Sequence, residues 1–458
     1  EIQAWESTDD LAGPTPGVVE QLRDVLPGLD TTVLEDLGLA LSGRELWRRT
    51  TRLAHWLREQ GVHRGERVGV EMPRSADAVL AILGVLVAGG SYVPLDPAQP
   101  VVRRARLAER AGCRLILDRL PDLAEGTEDL DPLPLPVPGD EAYLLFTSGS
   151  TGEPKGVPIT HLGLARYLRF AVEHYPTARP PVVPLFSALT FDLTVTSLFV
   201  PLVTGGRLVV VGEDGPAGLA RVARRTDLTW CKATPSHLEI LERLLPPDHR
   251  LETLVVGGEA FGAGLARRLL ARRPGVRIFN EYGPTEAVVG CMIHEIDPDD
   301  LPAVEVPIGV PAPGVTLRIV DEHLQRVPLG SPGELLIAHV GLTAGYLDSD
   351  GPFVELDGLR FYRSGDLVRL ADRHTLVYLG RIDEQVKVGG IRLEPTEVED
   401  ALATHPAIER AAVRLWSPTP AAADHHPICP RVLPTGQHAR PPTPAPGPAT
   451  IDCRLSQT

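Results

Sequence analysis

The chain has 458 residues, room for two or three domains and a large core. Its 43% hydrophobic and 23% charged content is that of a water-soluble globular protein, and a net charge of -15 argues against nucleic acid or an anionic membrane as the main partner. The five cysteines are scattered with no CxxC pair, and neither a signal segment nor a run of about 20 apolar residues occurs, so reduced thiols in a cytoplasm are expected. The first residue is glutamate rather than methionine, as in a fragment or a processed chain.

Residues 40–60 carry Leu46, Leu53, Trp56 and Leu57 at helical spacing, which predicts an amphipathic helix. A strand over residues 67–72 follows, then a nearly uncharged helix over 76–88 with Ser75 as its N-cap. The apolar run at 143–146 reads as a buried strand. It leads into TSGSTGEPKG, residues 147–156, which packs three glycines, hydroxyl side chains and Lys155 into ten residues. Hydroxyls and glycine N–H groups can surround phosphate oxygens closely, because no Cβ holds the ligand away. Only three of the 45 Lys and Arg residues are lysine, so a compact ammonium placed here suits a polyphosphate. The Walker pattern is absent: Gly156 follows the lysine where Ser or Thr is needed, and Pro154 opposes running straight into a helix.

Asp192 is the one charged side chain between Arg179 and Arg207. It caps a helix starting at Leu193, or it is a buried functional anion that needs a partner. Short apolar runs at 208–211, 254–256, 276–279 and 317–320 read as strands, alternating with Leu- and Arg-rich helical stretches such as 216–225 and 263–273. That alternation predicts an α/β fold, a large N-terminal domain of covered, largely parallel sheets. From about residue 305 the pattern turns to strands and turns, as in a β-rich barrel-like unit. A helix over 395–403, with Pro395 in its first turn, leads to an apolar run ending at Leu415. Ten of the residues in 416–458 are proline, and this segment is expected to be disordered.

Five further segments accompany the phosphate-type loop. They are LVAGGSYVPLDP (86–97), FDLT (191–194), NEYGPTE (280–286), YRSGDL (362–367) and GRIDEQVKVGGIRLEPTEVE (380–399). With these six segments in this order, the chain resembles the adenylation domains of nonribosomal peptide synthetases, within the adenylate-forming ligases. The resemblance runs from about residue 19 to about residue 415.

The resemblance implies an AMP-forming ligase that uses ATP and Mg²⁺ to activate an amino acid. The product would pass to the phosphopantetheine thiol of a separate peptidyl carrier protein, since no carrier or condensation motif occurs here. An MbtH-like helper is a candidate partner. By resemblance, Thr147, Ser148, Gly149, Ser150, Thr151, Gly152 and Lys155 hold the β- and γ-phosphates. Thr285 touches the α-phosphate and Glu286 holds the metal. Asn280, Tyr282 and Gly283 frame the adenine, while Asp366, Tyr378 and Arg381 take the ribose and complete the phosphate contacts. Asp192 anchors the α-ammonium, a need that fatty-acyl relatives lack. The side-chain pocket maps to Leu193, Thr196, Ser236, Val255, Gly257, Glu281, Val289 and Gly290. Its acid, Glu281, points to a polar substrate such as asparagine; the set is similar to pockets choosing asparagine or aspartate, with Ser236 where those often carry lysine. His161 and His237 read as structural.

The resulting division is a large domain over 1–382, a hinge at Asp383 with a remnant of a small α+β C-terminal domain over 383–415, and the proline-rich tail. The family's small domain ends near a lysine that bridges carboxylate and phosphate. Here Lys387 is the final lysine, and a proline-rich tail of this kind is what a frameshift produces. Three readings follow: an aminoacyl-adenylating enzyme impaired by that loss, a non-catalytic ATP-binding remnant or frameshifted product, and a relative of acyl- or aryl-CoA ligases, which Asp192 disfavours.

Overall fold

The computed structural model describes Glu6 and residues 13–123, 130–149, 153–175, 177, 179–246, 248–372, 374–383, 385–388, 391–403, 408, 410–414, 430–433 and 451–456. The Gly43–Glu59 helix starts where its cap predicts, with Ser42 Oγ accepting from Glu45 N at 3.2 Å. Its Leu46, Leu53 and Leu57 stripe is buried and packs on the Ala76–Val87 helix. In that second helix every residue except Asp77 is buried, which explains its lack of charge. Ser75 Oγ accepts from Ala78 N at its start.

Three sheets carry the large domain. The first runs Leu115–Leu117, Arg67–Val70, Ser91–Pro94, Glu141–Thr147, Lys155–Thr160, parallel except for the last, antiparallel strand. The second runs Leu39–Ser42, Thr32–Asp36, Arg207–Val210, Val182–Leu185, parallel except for its first pair. The third sets Trp230–Ala233, Thr253–Gly257 and Arg277–Tyr282 in parallel and closes with Met292–Glu295 and Val310–Pro311 antiparallel. Leu, Ile and Val fill these strands because both faces are covered.

Beyond residue 305 the β-rich unit is an antiparallel sheet ordered Thr316–Val320, Gly333–Ala338, Leu359–Leu370, Phe353–Leu356, with Leu376–Arg381 also on the long central strand. A hairpin of Val386–Val388 and Ile391–Leu393 and the Pro395–Ala403 helix follow. Pro430–Leu433 and Ile451–Ser456 join Arg410–Arg414 in a three-stranded sheet. Residues 451–456 alternate apolar and polar side chains, a strand pattern that the proline count hides. Among the described residues no helix is long and apolar enough to cross a membrane.

Candidate active site

Ligands of parallel α/β sheets bind beyond the carboxyl ends of the strands, where Thr147, Gly257 and Tyr282 end theirs. Thr147 ends the Glu141–Thr147 strand and pairs in register with Lys155, the first residue of the returning strand. Ser148 is buried, and among the described residues the buried Thr147 Oγ1 has no hydrogen-bond partner. A Cβ on Gly149 would lie 2.0 Å from the Glu153 carbonyl oxygen, so only glycine fits. Ser150, Thr151 and Gly152 lie outside the described residues.

A cavity of about 570 Å³ runs from this loop to the third sheet, lined among others by Ser148, Asp192, Lys232, Glu281, Thr285 and Asp366. Asp192 precedes the Leu193–Val203 helix but makes no side-chain capping bond. Its carboxylate accepts from Thr285 Oγ1 at 2.7 Å instead, so Asp192 does not serve as the helix cap. Burial pushes its pKa up to about 6; the Thr285 hydroxyl and Lys232 oppose the rise, and Glu281 and Glu286 add to it.

Glu286 follows Thr285 in a single helical turn and is fully buried. Tyr346 Oη donates to its Oε1 at 2.6 Å. Val288 and Val289 then adopt φ of 61° and 66°, a strained setting for β-branched residues that leaves the Val289 side chain on the cavity wall.

Asn280, Tyr282, Gly283, Tyr378 and Arg381 line an adjoining cavity of about 340 Å³. Asn280 Nδ2 donates to the Pro307 carbonyl at 2.8 Å, which fixes the amide on its strand. A Cβ on Gly283 would meet Gly290 Cα at 2.7 Å, so this strand end too requires glycine. Tyr282 Oη donates to Asp366 Oδ2, and Arg381 Nη1 donates to Asp366 Oδ1 at 2.8 Å. Arg381 continues to Asp383 through Nε at 2.8 Å and Nη2 at 2.6 Å. The predicted ribose carboxylate and the predicted hinge thus share one arginine.

Of the predicted side-chain pocket, Leu193, Gly257, Glu281 and Val289 line the larger cavity with Asp192. Thr196 and Val255 are fully buried beneath it, and a Cβ on Gly290 would strike Glu281 Cδ at 2.4 Å. Ser236 requires a correction. It sits in the Pro235–Leu244 helix, off the cavity lining, and its hydroxyl donates to Glu259 Oε2 at 2.7 Å. Lys232, on the preceding strand, lines the cavity instead. Its ammonium donates to Glu281 Oε2, to Thr196 Oγ1 at 2.8 Å and to Tyr167 Oη at 3.0 Å. Tyr167 and Tyr175 donate to Glu281 Oε1 at 2.9 and 2.7 Å. His161 is buried with its pKa lowered to about 4 by burial, and His237 closes a capping box with Thr234, both structural as read from the sequence.

The sequence pattern of one family, described as AMP-binding enzyme, matches residues 26–347, most of the chain. The chain belongs to the AMP-binding enzyme family. It is 40% identical over 399 residues to bacitracin synthase 3 of Bacillus licheniformis, covering 81% of this chain and 6% of that protein. Among solved structures, holo-PA1221, an NRPS protein containing adenylation and PCP domains bound to a vinylsulfonamide inhibitor, superposes with TM-score 0.76 at 27% identity. That match covers 88% of this chain and 74% of the other. The Vibrio cholerae adenylation domain AlmE, solved in complex with glycyl-adenosine-5'-phosphate, superposes with TM-score 0.77 at 25% identity, over 88% of this chain and 85% of AlmE. The chain therefore spans a small fraction of the synthase and most of each structure.

Within this AMP-binding enzyme, sequence reasoning missed Lys232, Tyr167 and Tyr175. Lys232 carried a readable signal: it is one of three lysines and stands alone between Asp227 and Glu239 in charge. The same argument had singled out Asp192. The two tyrosines sit among other apolar positions of the His161–His174 helix and its C-cap and carry no such mark.

Proposed function

We propose that this chain binds ATP and an amino acid side by side, forms the aminoacyl-AMP ester, and passes the acyl group to a carrier-protein thiol. The observation that carries the reading is the 2.7 Å hydrogen bond from Thr285 to Asp192. A carboxylate fit to hold an α-ammonium touches the hydroxyl fit to hold an α-phosphate. An amino acid anchored on Asp192 would present its own carboxylate to the α-phosphorus in the entropically favourable way. One carboxylate oxygen attacks that phosphorus, the α–β bridging bond breaks, and pyrophosphate leaves. Attack of a thiolate on the acyl carbon then releases AMP.

The phosphate ligands are Thr147, Ser148, Ser150, Thr151 and Lys155; the orphaned Thr147 hydroxyl supports this set. Asp366, Tyr378 and Arg381 hold the ribose side, with Asn280, Tyr282 and Gly283 at the adenine. Glu286 fits Mg²⁺, a hard ion usually held by one or two carboxylates together with substrate phosphates. No group of three or more potential metal ligands occurs among the described residues, in keeping with phosphates supplying the rest. When bound, Mg²⁺ neutralises phosphate charge; Lys155 and the loop donors do the remainder.

The side-chain pocket ends on Lys232 and Glu281, each 2% exposed or less. A cationic side chain would meet the ammonium, and an anionic one the carboxylate, so the paired floor favours an uncharged amide, asparagine above all. Asp383 is the hinge of the small domain, whose movement admits the carrier thiol.

Amino-acid-dependent pyrophosphate exchange on the 458-residue chain tests both parts. Asparagine is expected to lead the panel over aspartate and lysine. A lead by a charged amino acid would remove the pocket assignment, and exchange that no amino acid stimulates would remove the adenylating activity.

A further inference from the structure

The segment after the Gly333–Ala338 strand ties together two site elements that are far apart in sequence. Thr343 N donates to the Glu286 carbonyl at 3.0 Å, and Thr343 Oγ1 donates to the Pro158 carbonyl at 2.7 Å. Leu347 N donates to the Gly156 carbonyl, next to Lys155, at 2.8 Å. Arg360 anchors this strap to the half-barrel sheet by donating to the carbonyls of Thr343 and Ala344 at 3.0 and 2.6 Å. Tyr346 stands at its centre. Its hydroxyl donates to Glu286 Oε1 at 2.6 Å, and the Lys155 ammonium lies over its ring, 5.5 Å from the centroid.

We propose that Tyr346 is a positioning residue that fixes the metal-binding carboxylate and the phosphate-binding ammonium relative to one another, so that Mg²⁺ and polyphosphate are taken up as one unit. The inference rests on the roles proposed above for Glu286 and Lys155. A phenol donating to one carboxylate oxygen selects the rotamer of Glu286 and so fixes the direction its carboxylate faces. The ring face attracts the ammonium and limits where it can swing. Partners that orient a metal-binding side chain typically change metal affinity by about 10–100-fold when removed.

The test is equilibrium binding of ATP to the full chain across a Mg²⁺ titration, with EDTA as the metal-free limit. Tyr346→Phe keeps the ring and loses the hydroxyl. It is expected to need about 10–100-fold more Mg²⁺ for half-maximal enhancement of ATP binding, while its metal-free affinity stays within about twofold of the parent. Tyr346→Leu, which also loses the ring, is expected to weaken metal-free binding a few-fold as well. Thermal unfolding of Tyr346→Phe matching the parent excludes a folding defect. A Tyr346→Phe chain with the parent's Mg²⁺ dependence would overturn the proposal. Glu286→Gln separates the levels: if it abolishes the Mg²⁺ response and Tyr346→Phe does not, the positioning role fails alone; if neither changes it, the metal assignment fails too.

Discussion

Asp192 is buried, 8% exposed, and its carboxyl titrates near pH 6 because desolvation outweighs the Thr285 hydrogen bond and the Lys232 charge. Only the carboxylate can hold an ammonium, so amino-acid affinity should be level above pH 6 and fall about tenfold per unit below it. Calorimetric titration of asparagine between pH 5 and 8 checks this, and Asp192→Asn should bind weakly at every pH. The sign for folding is opposite. A carboxyl whose folded-state value is raised above its ordinary 3.8 stabilises the empty chain at low pH, and that contribution is lost as pH rises through about 6. Asp192 was legible because a lone charge in an apolar run needs an explanation. The Lys232–Glu281 pair was not, since its members lie 49 residues apart on strands that flank Thr253–Gly257, and only the sheet order brings them together. Placing Ser236 in the pocket was an error of four residues across a strand-to-helix turn; the cavity is lined by the strand.

The element proposed to hold the nucleotide phosphates is the strand-loop-strand unit from Glu141 to Thr160. Its register sets Thr147 opposite Lys155, and a Cβ on Gly149 would lie 2.0 Å from the Glu153 carbonyl oxygen. Gly149→Ala must displace the Glu153 carbonyl and with it the loop amides. ATP affinity should fall at least about tenfold, while the buried strand residues Leu144 and Leu145 keep the unfolding transition near that of the parent. Equilibrium binding of a fluorescent ATP analogue, with thermal melting alongside, measures both. The two strands of this unit were readable from residues 143–156, because the apolar run and the Gly- and Pro-containing loop are contiguous in sequence. The long Leu359–Leu370 strand was less legible: YRSGDL breaks its apolar alternation, and its register shifts between Leu367 and Val368 to turn Asp366 toward Tyr282 and Arg381.

At the scale of the molecule, the chain is acidic, yet Lys232 and Arg381 line one cavity, so the local charge there differs from the net charge. The α/β class and the half-barrel were legible from alternating strand and helix periods, since packing on covered sheets imposes them. Strand order, and hence which side chains share the cavity, was not. Everything proposed for Asp192, Glu286, Lys232 and Tyr346 presumes a triphosphate seated over the loop that Lys155 closes. Isothermal titration of the chain with ATP and Mg²⁺ tests that most directly. A saturable one-to-one isotherm, weakened at least about tenfold by Lys155→Ala, is the predicted result; no heat of binding, or an isotherm indifferent to Lys155, would contradict it.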